Sequence, residues 1–178
     1  MIVAKELRKK NIVEYLLYMW HIEEIIRAHN FSFFEIDKNI ISKYNQPAPV
    51  IAEIRNWYRQ LVNQMIDEDI QEVGHLEFLN NILIELNDIH IDLINSIQEE
   101  KYTEFYRFAL PILNDLRQKT SKENITELEV CLNGLYGIML LRMQGKPISP
   151  DTAEAINVIS KMMSYLATKY HQKHTISH

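Results

Sequence analysis

Between Asn11 and Asn30 the chain reads NIVEYLLYMWHIEEIIRAHN, and from Ile12 to Trp20 only Glu14 is polar. A helix that is apolar almost all the way round has to be buried by neighbours on several sides. The pattern therefore predicts a long first helix, about Val3 to His29, as the buried element around which the rest packs. A second helix is announced by Ser32 as N-cap, with Glu35 three residues on to close a capping box and Phe31 placed to staple onto Ile36. It should fray near Tyr44, because Asn45-Gln46-Pro47-Ala48-Pro49 cannot continue it. Pro49 suits the first position of a third helix, followed at helical spacing by Ile51, Ile54, Tyr58, Leu61, Val62, Met65 and Ile66.

Gln71 to Gly74 reads as a turn, with Gly74 free to take a positive φ. A fourth helix, about His75 to Ile97, carries Leu76, Leu79, Leu83, Leu86, His90, Leu93, Ile94 and Ile97 on one face. Thr103 is the candidate cap of a fifth helix ending near Lys119, kinked by Pro111 inside it. Asn124 with Glu127 suggests the capping box of a sixth, which runs to about Gln144 and stops at Gly145-Lys146-Pro147. Ser149-Pro150-Asp151 then opens a seventh helix, to about Tyr170, with 171–178 as a loose tail. The fold class expected is all-α: a single-domain bundle of about seven helices joined by short connections, domain 1–170, around the buried N-terminal helix.

Composition narrows this picture. A chain of 178 residues fits one domain and can bury roughly 70% of the surface its unfolded form exposes. Four Gly and five Pro leave little material for hairpins, which favours helices. The net charge of -5 argues against nucleic acid, since phosphate binding needs a concentrated basic surface; the largest basic cluster is only Lys5, Arg8, Lys9 and Lys10. No run approaches the ~18 uncharged residues that span a bilayer. Lys5 to Lys10 followed by Ile12 to Ile22 has the outline of a signal peptide, but Glu14 interrupts it and no small-residue cleavage site follows. A cytoplasmic protein is expected. Cys131 is the only cysteine, so no internal disulfide forms and a thiolate zinc site is disfavoured.

The stretches NIVEYLLYMWHIEEIIRA, VGHLEFLNNILIELNDIH, LYGIMLLRMQGKPIS and ISKMMSYLATKY resemble a family of uncharacterised helical bacterial proteins of about this length, a domain of unknown function found mainly in Bacteroidetes. The resemblance covers essentially the whole chain. It implies a single all-α domain in a bacterial cytosol. It brings no established activity, so it assigns no catalytic residues.

Candidate chemistry in a helical bundle lies where polar residues occupy apolar positions. His90 falls in the middle of its helix's apolar stripe. Arg142 falls on the apolar arc beside Cys131, Leu135 and Ile138, and a buried Arg needs an acceptor. An internal ion pair with Glu24 or Glu14 is therefore expected, fixing how two helices pack. On the first helix Glu14, Tyr18, His21 and Ile25 share one stripe, and Trp20, Glu24 and Arg27 another. Trp20 beside these two charges marks the place to look for a small-molecule cleft.

Metal ligation is the sharper idea for His21, Glu24, His75 and His90, because bundles do build metal sites from facing helices. The spacing is poor. His21 to Glu24 reverses the Glu-then-His order of di-iron bundles, Glu72 to His75 straddles Gly74, and His90 points away from Asp88 and Asp92 on a helix. Hydrogen-bonded histidines are the simpler expectation, and neither a metal nor another cofactor is expected. Cys131 has no evident cationic activator and reads as a buried inert thiol. Gly134 and Gly137 are too sparse to cradle phosphate and more readily admit a neighbouring helix. Among the aromatics, Trp57, Tyr58, Tyr102, Phe105, Tyr106 and Tyr136 read as core.

Two functions follow. The first is a non-enzymatic cytosolic interaction or scaffold protein, with a protein partner or a second copy and no bound nucleic acid or membrane. The alternative is a small-molecule or metal-binding bundle, its cleft beside the first helix formed by Trp20, Glu24, Arg27, His75, His90 and Arg142, with hydrolytic chemistry open to it.

Overall fold

Asn11 decides how the N-terminal segment folds. Its Oδ1 accepts the Val13 N–H at 3.1 Å, the bond an Asn makes when it caps a helix rather than continuing one. The single helix expected from Val3 to His29 is therefore two: α1 (Ile2–Lys10) and α2 (Ile12–Ala28). The computed structural model describes residues 2–119 and 125–176. The remaining helices are α3 (Phe33–Asn39), α4 (Ala48–Asp67), α5 (Glu77–Asn95), α6 (Glu100–Gln118), α7 (Glu127–Met143) and α8 (Pro150–Ile176), with a 3₁₀ turn at Ile41–Lys43. No strand occurs among the described residues. None of these helices is long and apolar enough to cross a membrane. The fold is all-α.

The chain divides into two compact units, Met1–Lys10 with Glu14–Asn81, and Asn11–Val13 with Ile82–His178. In the first, α1 is a surface helix with only Ala4 buried, whereas Leu16, Met19, Trp20, Ile22 and Ile26 of α2 are all buried. The expectation of a buried N-terminal helix thus holds for α2. Ser32 caps α3 by accepting the Glu35 N–H at 3.4 Å. The reciprocal half of the box is absent, because Glu35 Oε2 accepts instead from Asn39 Nδ2 at 2.9 Å. α4 packs on α3 and the 3₁₀ turn and buries Ile54, Tyr58, Leu61, Val62 and Met65. It ends in a Schellman motif: Ile70 N–H donates to Met65 O and Asp69 N–H to Ile66 O, with Asp69 at φ 55° in the position glycine usually takes. Gly74, at φ 100°, supplies the turn the sequence predicts.

In the second unit α6, α7 and α8 pack on one another, α6 against α8 most extensively. Gly134 makes part of this possible. A Cβ there would lie 3.3 Å from Leu116 Cδ1 and 3.8 Å from Ile156 Cδ1. Gly137, expected to do the same, has nothing within 4 Å of its virtual Cβ. α7 is capped by Thr126 and Glu129, a complete capping box; the cap expected at Asn124 lies outside the described residues. α6 begins at Glu100 rather than after Thr103, and Thr103 Oγ1 donates back to Glu99 O. α5 stops at Asn95, and Ile97, placed by its spacing on the apolar stripe, is 92% exposed. Ser149 Oγ accepts the Thr152 N–H at 3.2 Å, as its reading as a cap requires. α8 then continues through the segment expected to be loose, to Ile176, and Tyr170 packs its ring on His174, the centroids 4.2 Å apart.

Candidate functional site

Ile12, Leu16, Met19 and Ile26 of α2 are buried at heptad-like spacing. Glu23 occupies the same stripe and is itself fully buried. A carboxylate there needs donors for both oxygens, and the turn after α4 brings them. Oε1 accepts the Leu76 N–H at 2.9 Å, and Oε2 accepts from His75 Nδ1 at 2.6 Å. Leu76 stands just before the first residue of α5, so Glu23 meets one of the N-terminal amides that a helix leaves unpaired and lies at the positive end of its dipole. Glu68 does the same for the next amide, accepting the Glu77 N–H at 2.7 Å.

Trp20, one turn before Glu23, stacks on His75 with ring centroids 4.2 Å apart and planes 11° from parallel. Arg27, one turn after it, reaches the same loop. Its Nη2 donates to Ile70 O at 3.1 Å and Gly74 O at 2.5 Å, and its Nη1 to Glu24 at 2.7 Å. Four of the sequence-predicted site residues, Trp20, Glu24, Arg27 and His75, therefore gather around the 68–76 turn. The residue that organises them, Glu23, was missed. Its position between Met19 and Ile26 on an apolar stripe was the available signal. His21 stays on α2 with Nδ1 buried and without a hydrogen bond among the described residues; burial holds its pKa below the usual histidine value, against the pull of Glu24.

His90 belongs to the second unit and is 2% exposed. Tyr102 OH donates to its Nδ1 at 2.6 Å, and its Nε2–H donates to Glu127 Oε2 at 3.3 Å. Tyr106 OH donates to the other Glu127 oxygen at 3.2 Å. Burial lowers the His90 pKa, and the Glu127 hydrogen bond opposes part of that shift. Burial likewise raises the Tyr102 hydroxyl and the Cys131 thiol far above their ordinary values. Glu127, read in the sequence as a capping residue, is the acceptor of this network.

Arg142 corrects the sequence reading most directly. It is exposed and forms no ion pair among the described residues, so the expected internal pair with Glu24 or Glu14 is not made. α7 is apolar nearly all round, and its polar face cannot be phased from spacing. Arg142 lies in its last turn, where a cation favours the negative end of the helix dipole and needs no buried acceptor.

The arrangement sets clear chemical limits. His75 carries its proton on Nδ1 toward Glu23, which leaves Nε2 as the nitrogen for a base or a metal. Among the described residues no three His, Cys, Asp or Glu side chains come together as a metal site requires. The same bonds tie the turn to α2, and that is work each of them does in the folded chain. No curated protein and no solved structure matches this sequence. A family model does, over residues 1–176. By that match the chain belongs to DUF4924, a domain of unknown function.

Proposed function

We propose that the chain is a non-enzymatic helical interaction protein of the bacterial cytoplasm, and that it associates with a second copy of itself through α7. The observation that carries this is the incomplete covering of the C-terminal half of that helix. Between Leu135 and Met143 only Ile138 is buried, while Leu135, Tyr136, Met139, Leu140 and Leu141 are half-buried and Met143 is 60% exposed. A helix apolar on every side calls for neighbours on every side.

Charge favours a second copy as the occupant. Each molecule carries a net charge of -5, and Val130 to Leu141 contains no charged residue. Two like-charged molecules meet most easily where neither presents charge. A basic partner, by contrast, would seek carboxylates, and this stretch offers none. The stripe also has a notch: beyond its own stretch of helix backbone, Gly137 has nothing within 4 Å of its virtual Cβ, and half-buried Leu140 and exposed Met143 follow it at helical spacing. Such a surface suits packing against itself about a two-fold axis. The polar residues that suggested chemistry support the non-enzymatic part, since His75 and His90 are engaged in hydrogen bonds within the fold.

Sedimentation equilibrium on the tag-free chain tests the reading. The wild type is expected to dimerise at micromolar concentration. Leu140→Glu and Met143→Lys should each shift it to monomer with an unchanged circular dichroism spectrum. A wild type that stays monomeric up to about 200 μM, a dissociation constant beyond any specific dimer of cellular use, would end the proposal.

A further inference from the structure

A groove of about 370 Å³ runs between α6 and α8 in the second unit. Lys101 and Phe105, one turn apart on α6, form one wall; Lys161, Tyr165 and Thr168 on α8 form the other. Ser160 and Ser164 add hydroxyls, and no carboxylate lines it. In a protein of net charge -5 that is an unusual local balance.

Lys101 is held here by rings rather than by a carboxylate. Its Nζ lies 5.9 Å from the Phe105 centroid and 5.8 Å from the Tyr165 centroid. This geometry fixes an ammonium through the ring quadrupole without neutralising it. Neither Lys101 nor Lys161 forms a salt bridge among the described residues. Lys169 shows the contrast. It lies 5.4 Å from the same Tyr165 ring but is paired with Glu99, which also accepts the Tyr165 hydroxyl at 2.8 Å. Glu99 is thereby engaged, and the tyrosine ring is locked in orientation.

Two unneutralised ammonium groups, the hydroxyls of Ser160 and Ser164 and a pair of edge-to-face rings, their centroids 6.0 Å apart, form a recognisable set of complements; the Thr168 hydroxyl already donates to Ser164 O at 3.0 Å. The lysines act as point charges for a phosphate and the hydroxyls donate to its oxygens. The rings offer an apolar wall to a planar group, and the volume lies in the range of small-molecule sites. We propose that the groove between α6 and α8 binds a small phosphorylated molecule bearing an aromatic ring. This site is separate from the α7 stripe and does not depend on self-association.

The test uses phenyl phosphate, titrated into the ¹⁵N-labelled full chain and followed by amide chemical shifts. Shifts should concentrate at Lys101, Phe105, Lys161 and Tyr165. Inorganic phosphate and phenol should each bind more weakly than the combined probe. Lys101→Met and Lys161→Met, both at exposed positions, should each weaken binding roughly 5- to 10-fold, while Lys5→Met on α1 leaves it unchanged. The proposal is overturned if the groove amides do not move by about 20 mM probe. It is equally overturned if phenol binds as tightly as phenyl phosphate, or if Lys5→Met weakens binding as much as Lys101→Met.

Discussion

Glu23 and His75, 52 positions apart in the chain, meet at 2.6 Å with the glutamate side chain 1% exposed. Because the other oxygen takes the Leu76 N–H, one carboxylate both orients an imidazole and starts a helix. Glu23→Gln keeps the size but replaces one charged acceptor by a neutral donor, so both bonds lose their charge assistance and His75 keeps its partner only by moving its proton to Nε2. We expect a loss of about 1–3 kcal/mol. Glu23→Leu strands both donors and should cost more than about 3 kcal/mol. Urea denaturation of the two variants measures this, and midpoints equal to wild type would refute the clasp.

Arg142→Met should be nearly silent. The side chain is exposed at the end of α7, and such substitutions fall within about 0.5 kcal/mol. A loss above about 1 kcal/mol would show that the arginine has a buried partner after all.

How far the sequence carried can be judged from these two residues. Local chemistry was legible: Ser32, Ser149, Gly74 and Gly145 act as cap, cap, turn and helix stop, because each depends on its own neighbours in the chain. Asn11 was not, since Arg8, Lys9 and Lys10 before it are good helix formers that carry the helical reading into the apolar run, and only its bond to Val13 reveals the break. The site was half legible. Spacing singled out Trp20, Arg27, His75 and His90, but the acceptors Glu23 and Glu127 became visible only when distant segments met. Arg142 was misplaced because α7 is apolar nearly all round and gives spacing no phase to read.

His90 should make stability pH-dependent. Burial disfavours its charged form, so its pKa in the folded state lies below the ordinary histidine value of about 6.5. Between the two values the unfolded chain binds more protons, so the stabilisation is complete above about pH 6.5 and is lost as pH falls through the folded pKa. His21 and His171 are shifted the same way. Wild-type stability should therefore decline from about pH 7 to about pH 5, by up to ~1.4 kcal/mol per pH unit for each proton. His90→Gln should flatten the slope without abolishing it. An identical slope in the variant would show that His90 titrates as it does unfolded.

Two glycines should respond in opposite directions. Gly74→Ala places a Cβ at φ 100°, 3.4 Å from Ile70 Cγ2, and should destabilise by about 1 kcal/mol or more. Gly137→Ala meets nothing within 4 Å and gains helix propensity, so the dilute protein should be stabilised by up to ~1 kcal/mol. The added methyl also fills the α7 notch, so self-association should weaken. Thermal melts at low and high concentration separate the two effects, and equal losses at both sites would contradict the assignment of Gly137 to an open surface.

That the buried Glu23 carboxylate fastens the 68–76 turn to α2 is tested most directly by amide hydrogen exchange at Leu76. The N–H should exchange only through global unfolding in the wild type and at least about 100-fold faster in Glu23→Ala. Amides in the second unit, such as that of Leu132, should change only with overall stability. A Leu76 amide that exchanges in the wild type as fast as an unprotected one would contradict the account.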